Sequence, residues 1–222
     1  MNFLSLCQRL RQEAGLSGTG PASVLSQVGE MKRIVDWISG AYEDIQNLHA
    51  TWRFLRTDFS FPTIISTQDY TPAAVSLTDF GSWIKKDVRI YSAVNDEDFL
   101  EYSPWEIFRE DRYFGPHRTQ AGRPTHFTIK PNNALALWQI PDAVYTVNGE
   151  YYKAAQEMTA NASTPLIPSR FQMIIVWKGL MHYGAYAGAD EKYAHGSNEY
   201  RRLVAHLEAD QLEDFTFGEP LA

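Results

Sequence analysis

Catalysis or metal binding in this chain would have to come from six histidines, one cysteine, or the acidic runs. A zinc site on a helix needs two ligands three or four residues apart, so that both face one way. His49, His117, His126, His182, His195 and His206 offer no such pair. Each reads as a packed or surface imidazole. Cys7 has no second cysteine to bond, and it falls on an apolar stripe, so it reads as a buried structural thiol. No Gly-x-Ser-x-Gly turn presents a nucleophile. Gly15, Gly18 and Gly20 share only their glycines with a phosphate loop: they follow a helix, and no Gly-Lys-Ser/Thr comes after.

Carboxylates concentrate at Asp96-Glu97-Asp98 and between Glu106 and Asp111. These runs give an enzymatic reading its only foothold. A peptidoglycan hydrolase would hold two carboxyl groups at a set distance, one of them in an apolar pocket. The competing reading is a solvated turn and a helix face. Arg112, His117, Arg118 and Arg123 lie among Gly and Pro. They read either as a mobile surface loop or as an arm that contacts a neighbour's acidic surface, or DNA phosphate in passing. Six Trp, twelve Tyr and twelve Phe are many for 222 residues. They fill a core or, like Trp, Tyr and Arg at binding hot spots, an interface. Tyr183, Tyr186, Tyr193 and Tyr200 fall along the last helices, where a core need not place four hydroxyls.

The formal net charge is −7. A dedicated duplex binder needs the opposite sign, whereas weak repulsion suits a surface that DNA slides past. The lone cysteine fits a reducing compartment. The run from Met1 to Leu10 is too short and too basic for a signal peptide, so the Asn161-Ala-Ser163 pattern carries no glycosylation. No apolar run reaches the roughly 18 residues of a membrane span. No cofactor is implied.

The elements that would position these residues are legible in part. Phe3, Cys7, Leu10 and Ala14 predict an amphipathic helix over 2–14, stopped at Gly15. Met31, Ile34, Ile38, Ala41, Ile45, Leu48 and Trp52 alternate spacings of three and four, predicting one helix from about Ser23 to Trp52, with Ser39-Gly40 as the place for a bend. The period then changes to two. Phe59 and Phe61, then Val88, Ile90 and Val94, then Phe127 and Ile129 mark strands. Residues 125–152 read as an antiparallel three-stranded meander turning at Pro131-Asn132-Asn133. Pro104 opens a short helix. Ser169-Arg-Phe-Gln172 has the capping-box pattern, ahead of an almost wholly apolar helix to Ala187 that should be central. A last helix spans about 190–212.

Helices, then strands, then helices predict an α+β chain that is mainly an α-helical bundle built from both ends, 1–53 and 165–213. The antiparallel β-rich region, 54–164, is inserted, and 214–222 forms a C-terminal arm.

Several stretches carry a family resemblance. They are Met1-Asn-Phe-Leu-Ser-Leu-Cys-Gln-Arg-Leu-Arg-Gln-Glu-Ala-Gly15, Gly20-Pro21, Ile34-Val-Asp-Trp-Ile38, Ala41-Tyr-Glu-Asp-Ile-Gln46, Trp52-Arg-Phe-Leu55, Ser66-Thr-Gln-Asp-Tyr70 and Pro165-Leu-Ile-Pro-Ser-Arg-Phe171. In this order and spacing, over the first third and last quarter of the chain, the sequence resembles the head-to-tail adaptor proteins of short-tailed bacteriophages. The resemblance implies a structural virion protein, not an enzyme. It implies a dodecameric ring beneath the portal protein that extends the DNA channel, touches genomic DNA only in transit, and docks the tail nozzle and tail fibres. It also implies assembly in the host cytoplasm, no membrane, and no catalytic, cofactor or metal residues. On this reading Phe215, Phe217 and Leu221 form a portal-binding arm. Arg112, Arg118, Arg123, Tyr193 and Tyr200 face neighbouring subunits or the tail. A tail-tube or head-completion subunit is the alternative.

Overall fold

The computed structural model describes residues 1–93 and 95–212. In chain order the helices are α1 (Phe3–Ala14), α2 (Gly29–Asn47), α3 (Trp105–Phe108), α4 (Met173–Ala187) and α5 (Asp190–Gln211). The strands are β1 (Arg56–Pro62), β2 (Asp69–Tyr70), β3 (Phe80–Trp83), β4 (Arg89–Tyr91), β5 (Asp98–Phe99), β6 (Glu101–Tyr102), β7 (Ala121–Gly122), β8 (His126–Ile129), β9 (Leu135–Trp138), β10 (Ile140–Pro141) and β11 (Thr146–Lys153). The chain divides into two compact units, one of residues 1–55 with 155–222 and the other of residues 56–154.

The first unit is helical. Asn2 caps α1 by accepting from the Ser5 N–H at 2.9 Å, and Gly15 ends it in the left-handed region at φ 76°. In α2 the residues Ile34, Ile38, Ala41 and Ile45 are buried, as the periodicity requires. The helix is shorter than its seam predicts. Val28 is extended and Gly29 sits at φ 59°, so it cannot begin at Ser23. At the other end the chain folds back after Asn47, and the indole Nε1 of Trp52 donates to the Ile45 carbonyl at 3.0 Å. Trp52 is therefore core without being helix. The capping box is also corrected. Ser169–Phe171 is a 3-10 turn behind Pro168 with no side-chain cap, and α4 starts at Met173.

The apolar α4 is central, packing against α1, α2 and α5. Two glycines let it. A Cβ on Gly179 would meet Leu10 and Ile38 at 3.2 Å, and one on Gly184 would lie 2.7 Å from the Tyr193 backbone nitrogen. Polar side chains, with Tyr42 and Gln46 buried, tie distant segments into this unit. The Tyr42 hydroxyl donates to Gln156 Oε1 and accepts from the Leu166 N–H, both at 2.8 Å. Gln46 exchanges two bonds with Gln156. Asn161 Oδ1 accepts from the Val24 N–H at 2.7 Å.

The second unit is a β structure with a largely aromatic core. Strand β11 is the centre of a five-stranded sheet, with β1 along one edge and β3 and β4 sharing the other; β5 extends β4. Alternation sends Phe59, Phe61, Ile90, Val147 and Tyr151 inward. A four-stranded sheet runs β2-β9-β8-β6, and its Tyr70, Phe127, Leu135 and Leu137 complete the same core. The predicted meander is thus broken. β8 and β9 do form a hairpin, but β11 leaves it to pair with β1, β3 and β4. The region is not purely antiparallel either, because β6–β8 and β7–β10 pair in parallel.

The expected bulk of the fold needs the same correction. Helix makes up 39% and strand 19% of the described residues, an α+β mix rather than mainly a helical bundle. The bundle expectation gave the two helical ends too much weight against a β-rich unit that fills residues 56–154. The β share was underestimated because several strands are two residues long, too short to show alternation.

Candidate interaction surfaces

In the helical unit, aromatic side chains surface where α2 meets α4. Trp37 packs against Tyr183 and Tyr186, with ring centroids 6.0 and 5.6 Å apart, and the Arg33 guanidinium lies 4.6 Å from the Tyr186 ring. Arg33 and Trp37 are four residues apart on one helix, so they share a face. Tyr186 and Tyr193 remain exposed. This is the chemistry of a binding hot spot: large rigid rings with an arginine over them. Tyr200 differs. It is half-buried, with Lys178 Nζ 5.5 Å from its ring, and burial pushes its hydroxyl above the usual range. Lys178 also pairs with Asp44 at 3.3 Å. Burial and Lys178 together hold His182 below the ordinary imidazole range, against the opposing pull of Asp44.

In the β unit, the three arginines singled out from the sequence have three different situations. Arg112 is engaged within the chain: it donates to His126 Nε2 at 3.0 Å and stacks 5.1 Å from Trp138. Burial, with Arg112 beside it, lowers the His126 pKa, and Glu101 at 3.2 Å opposes this. Arg123 is a clamp, donating to Asp96 Oδ2 at 3.2 Å and to the Ile90 carbonyl at 3.1 Å. Arg118 is exposed and makes no ion pair among the described residues. Phe215, Phe217 and Leu221 lie outside the described residues.

The acidic runs also separate. Asp96 is a turn hub: its carboxylate accepts from the Ser92 hydroxyl at 2.6 Å and from the Ser92 and Ala93 N–H groups. Those bonds, with Arg123 helping, hold it down at about 2. Glu106, Glu110 and Asp111 are exposed, which is not the apolar pocket that a glycosidase's acid requires.

Two features were missed in the sequence. Lys130 Nζ donates to Asp69 Oδ2 at 2.8 Å and to the Tyr113 hydroxyl at 2.9 Å, and that hydroxyl bonds Asp69 at 3.0 Å. Burial would lower the Lys130 pKa, but these two partners outweigh it and raise it. The triangle fastens the 105–113 segment to the four-stranded sheet. The second is a set of aliphatics on two adjoining loops, Ile64, Ile65 and Val144, each more than half exposed. Its two loops are stitched by the Thr63 N–H to the Tyr145 carbonyl at 2.7 Å and the Ser66 N–H to the Pro141 carbonyl at 2.9 Å. Three exposed aliphatics within two adjoining loops are visible in the sequence, but not that the loops adjoin. Among the described residues, no group of three or more His, Cys, Asp or Glu could hold a metal ion. No helix there is long and apolar enough to cross a membrane.

The surfaces are thus built for contact: anchored aromatics, exposed aliphatics and, among the described residues, an exposed Arg118 with no ion pair. A family model described as SU10 adaptor protein matches residues 1–219. This chain belongs to the SU10 adaptor protein family. No curated protein matches it. The SU10 adaptor proteins are phage structural proteins, so this adaptor is a virion component that contacts other phage structural proteins. Those contacts are the use to which exposed rings and arginines are suited.

Proposed function

We propose that the chain is the head-to-tail adaptor of a short-tailed bacteriophage. Copies close into a dodecameric ring beneath the portal protein, extend the DNA channel, and dock the tail nozzle and fibres. The observation that carries this reading is the family match over residues 1–219. The surfaces support it, because a ring needs heterologous contacts that repeat and close by rotation. The net charge of −7 supports a channel wall to which the genome does not adhere. Within this reading, Phe215, Phe217 and Leu221 reach the portal, while Tyr193, Tyr200 and the arginine-bearing segment serve neighbours or the tail.

Reconstitution tests it. Full-length chain mixed with purified portal rings should give a complex carrying twelve copies per portal ring by native mass spectrometry. Truncation after Leu212 should abolish that complex. No binding by the full-length chain would sink the reading. Undiminished binding by the truncated chain would remove the arm from it.

A further inference from the structure

The outer face of the five-stranded sheet, opposite the aromatic core, carries an open groove of about 710 Å³. Register builds it. Asp58 stands opposite Glu150 on β1 and β11, and Asn148 stands opposite Arg89 on β4; Asp87 and Glu97 complete the lining. Four carboxylates and the Arg89 guanidinium therefore share one lining. Arg89 is already engaged with Glu97 at 3.4 Å and with the Phe99 ring at 4.7 Å. Glu150 accepts from Arg56 Nε at 2.8 Å. Asp58 and Asp87 are exposed and have no ion pair among the described residues. Asn148 lines the groove between them. The groove calls for a cation that can donate several hydrogen bonds at once, which describes a guanidinium better than an ammonium.

The same unit displays such a group. Arg118 stands on the turn Phe114–Gln120, in a stretch with no acidic residue between Asp111 and Asp142. The turn is already folded. The Arg118 N–H reaches the Gly115 carbonyl at 3.3 Å, and the Gln120 N–H reaches that of His117 at 3.2 Å. The Trp138 indole also donates to the His117 carbonyl, at 3.4 Å. A preformed turn loses little freedom on docking, and Phe114, half exposed, supplies an apolar anchor beside the charge. No hydrogen bond or ion pair joins turn and groove within one copy among the described residues. They are two different, complementary patches, as a heterologous contact needs.

We propose that the His117–Arg118 turn of one copy seats in the acidic groove of the next, with Arg118 reaching Asp58 and Asp87. This rests on the ring reading and supplies one of its repeating contacts. Charge pairing of this kind fixes register and weakens with salt.

The test is made in virions carrying Asp58→Cys and Arg118→Cys in the same chain, treated with a short bismaleimide. Cys7 is fully buried and its thiol is pushed up to about 12 by burial, so it stays silent. A ladder of covalent multimers is expected, with monomer alone from either single variant. Adaptor present as a ring without a ladder overturns this contact and leaves the ring intact. Adaptor absent from the head–tail junction overturns the ring as well. A charge exchange guards against a variant that does not assemble. Arg118→Asp and Asp58→Arg should each lower particle yield roughly tenfold or more, and the two together should recover it. Unchanged yield from both single variants, or no recovery in the pair, overturns the contact.

Discussion

The two units of this chain are held together in different ways. The helical unit is closed by side chains that reach across the sequence: Tyr42 bonds Gln156 and Leu166, 114 and 124 residues away. Its core is largely aliphatic, with Leu6, Leu10, Ile34, Ile38, Ile45, Ile174 and Leu180 almost wholly buried. The β unit is closed by its backbone, above all by the seven paired positions of β1 and β11, over stacked and edge-on aromatics such as Phe59 against Trp83 at 4.9 Å. The difference concerns vulnerability. Removing one hydroxyl can loosen the helical closure, whereas a ladder loses only a rung. A contiguous inserted segment with its own ladder and core can therefore carry its surface grooves and turns with little dependence on the ends of the chain.

The largest expected effect tests that separation. Trp52 is fully buried and hydrogen-bonded to the end of α2. Trp52→Ala should destabilise by about 3–5 kcal/mol. In amide hydrogen exchange, protection should fall in α1, α2 and α4 while β11 keeps its own. Equal loss in β11 would break the comparison.

A smaller effect sharpens it. Tyr42→Phe removes a donor to Gln156 and leaves the Leu166 N–H without its acceptor, at a cost of about 1–3 kcal/mol. Urea unfolding should show it as a lower midpoint at an unchanged slope. An unshifted midpoint would mean that the helical unit does not depend on this tether.

The smallest belongs to the β unit. The folded pKa of Asp96, about 2, lies below its unfolded value of about 3.9. The carboxylate's contribution to the 92–96 turn is therefore fully present above about pH 4 and is lost as pH falls through about 2. A carboxyl-carbon NMR titration should place the Asp96 midpoint near 2. A midpoint near the unfolded value would show that the Ser92 and Ala93 bonds do not hold in solution.

What could be read from the sequence follows the same division. The seam of α2 and the stripe of α1 were legible because helical order is local: Ile34, Ile38, Ala41 and Ile45 declare a face by spacing alone. Where α2 stops was not, because Leu48 and Trp52 keep the period after the backbone has turned. Strand partners were hidden for the opposite reason. Nothing within 146–153 says that β11 pairs with 56–62 rather than with its neighbour β9. The candidate surfaces were hidden likewise. Arg112, Arg118 and Arg123 are equivalent as letters, and only the fold shows two engaged within the chain and one unpaired. Lys130 finds Asp69 across 61 residues, which no local pattern encodes. The adaptor family was legible because it is written in the order of several short stretches rather than in any one site.

Cryo-electron microscopy of the intact particle tests the central claim most directly. Density for this chain should form a closed twelve-fold layer between portal and tail, with each copy touching its neighbours through unlike surfaces. Density placed elsewhere in the particle, or a layer in which copies do not touch, would contradict the account.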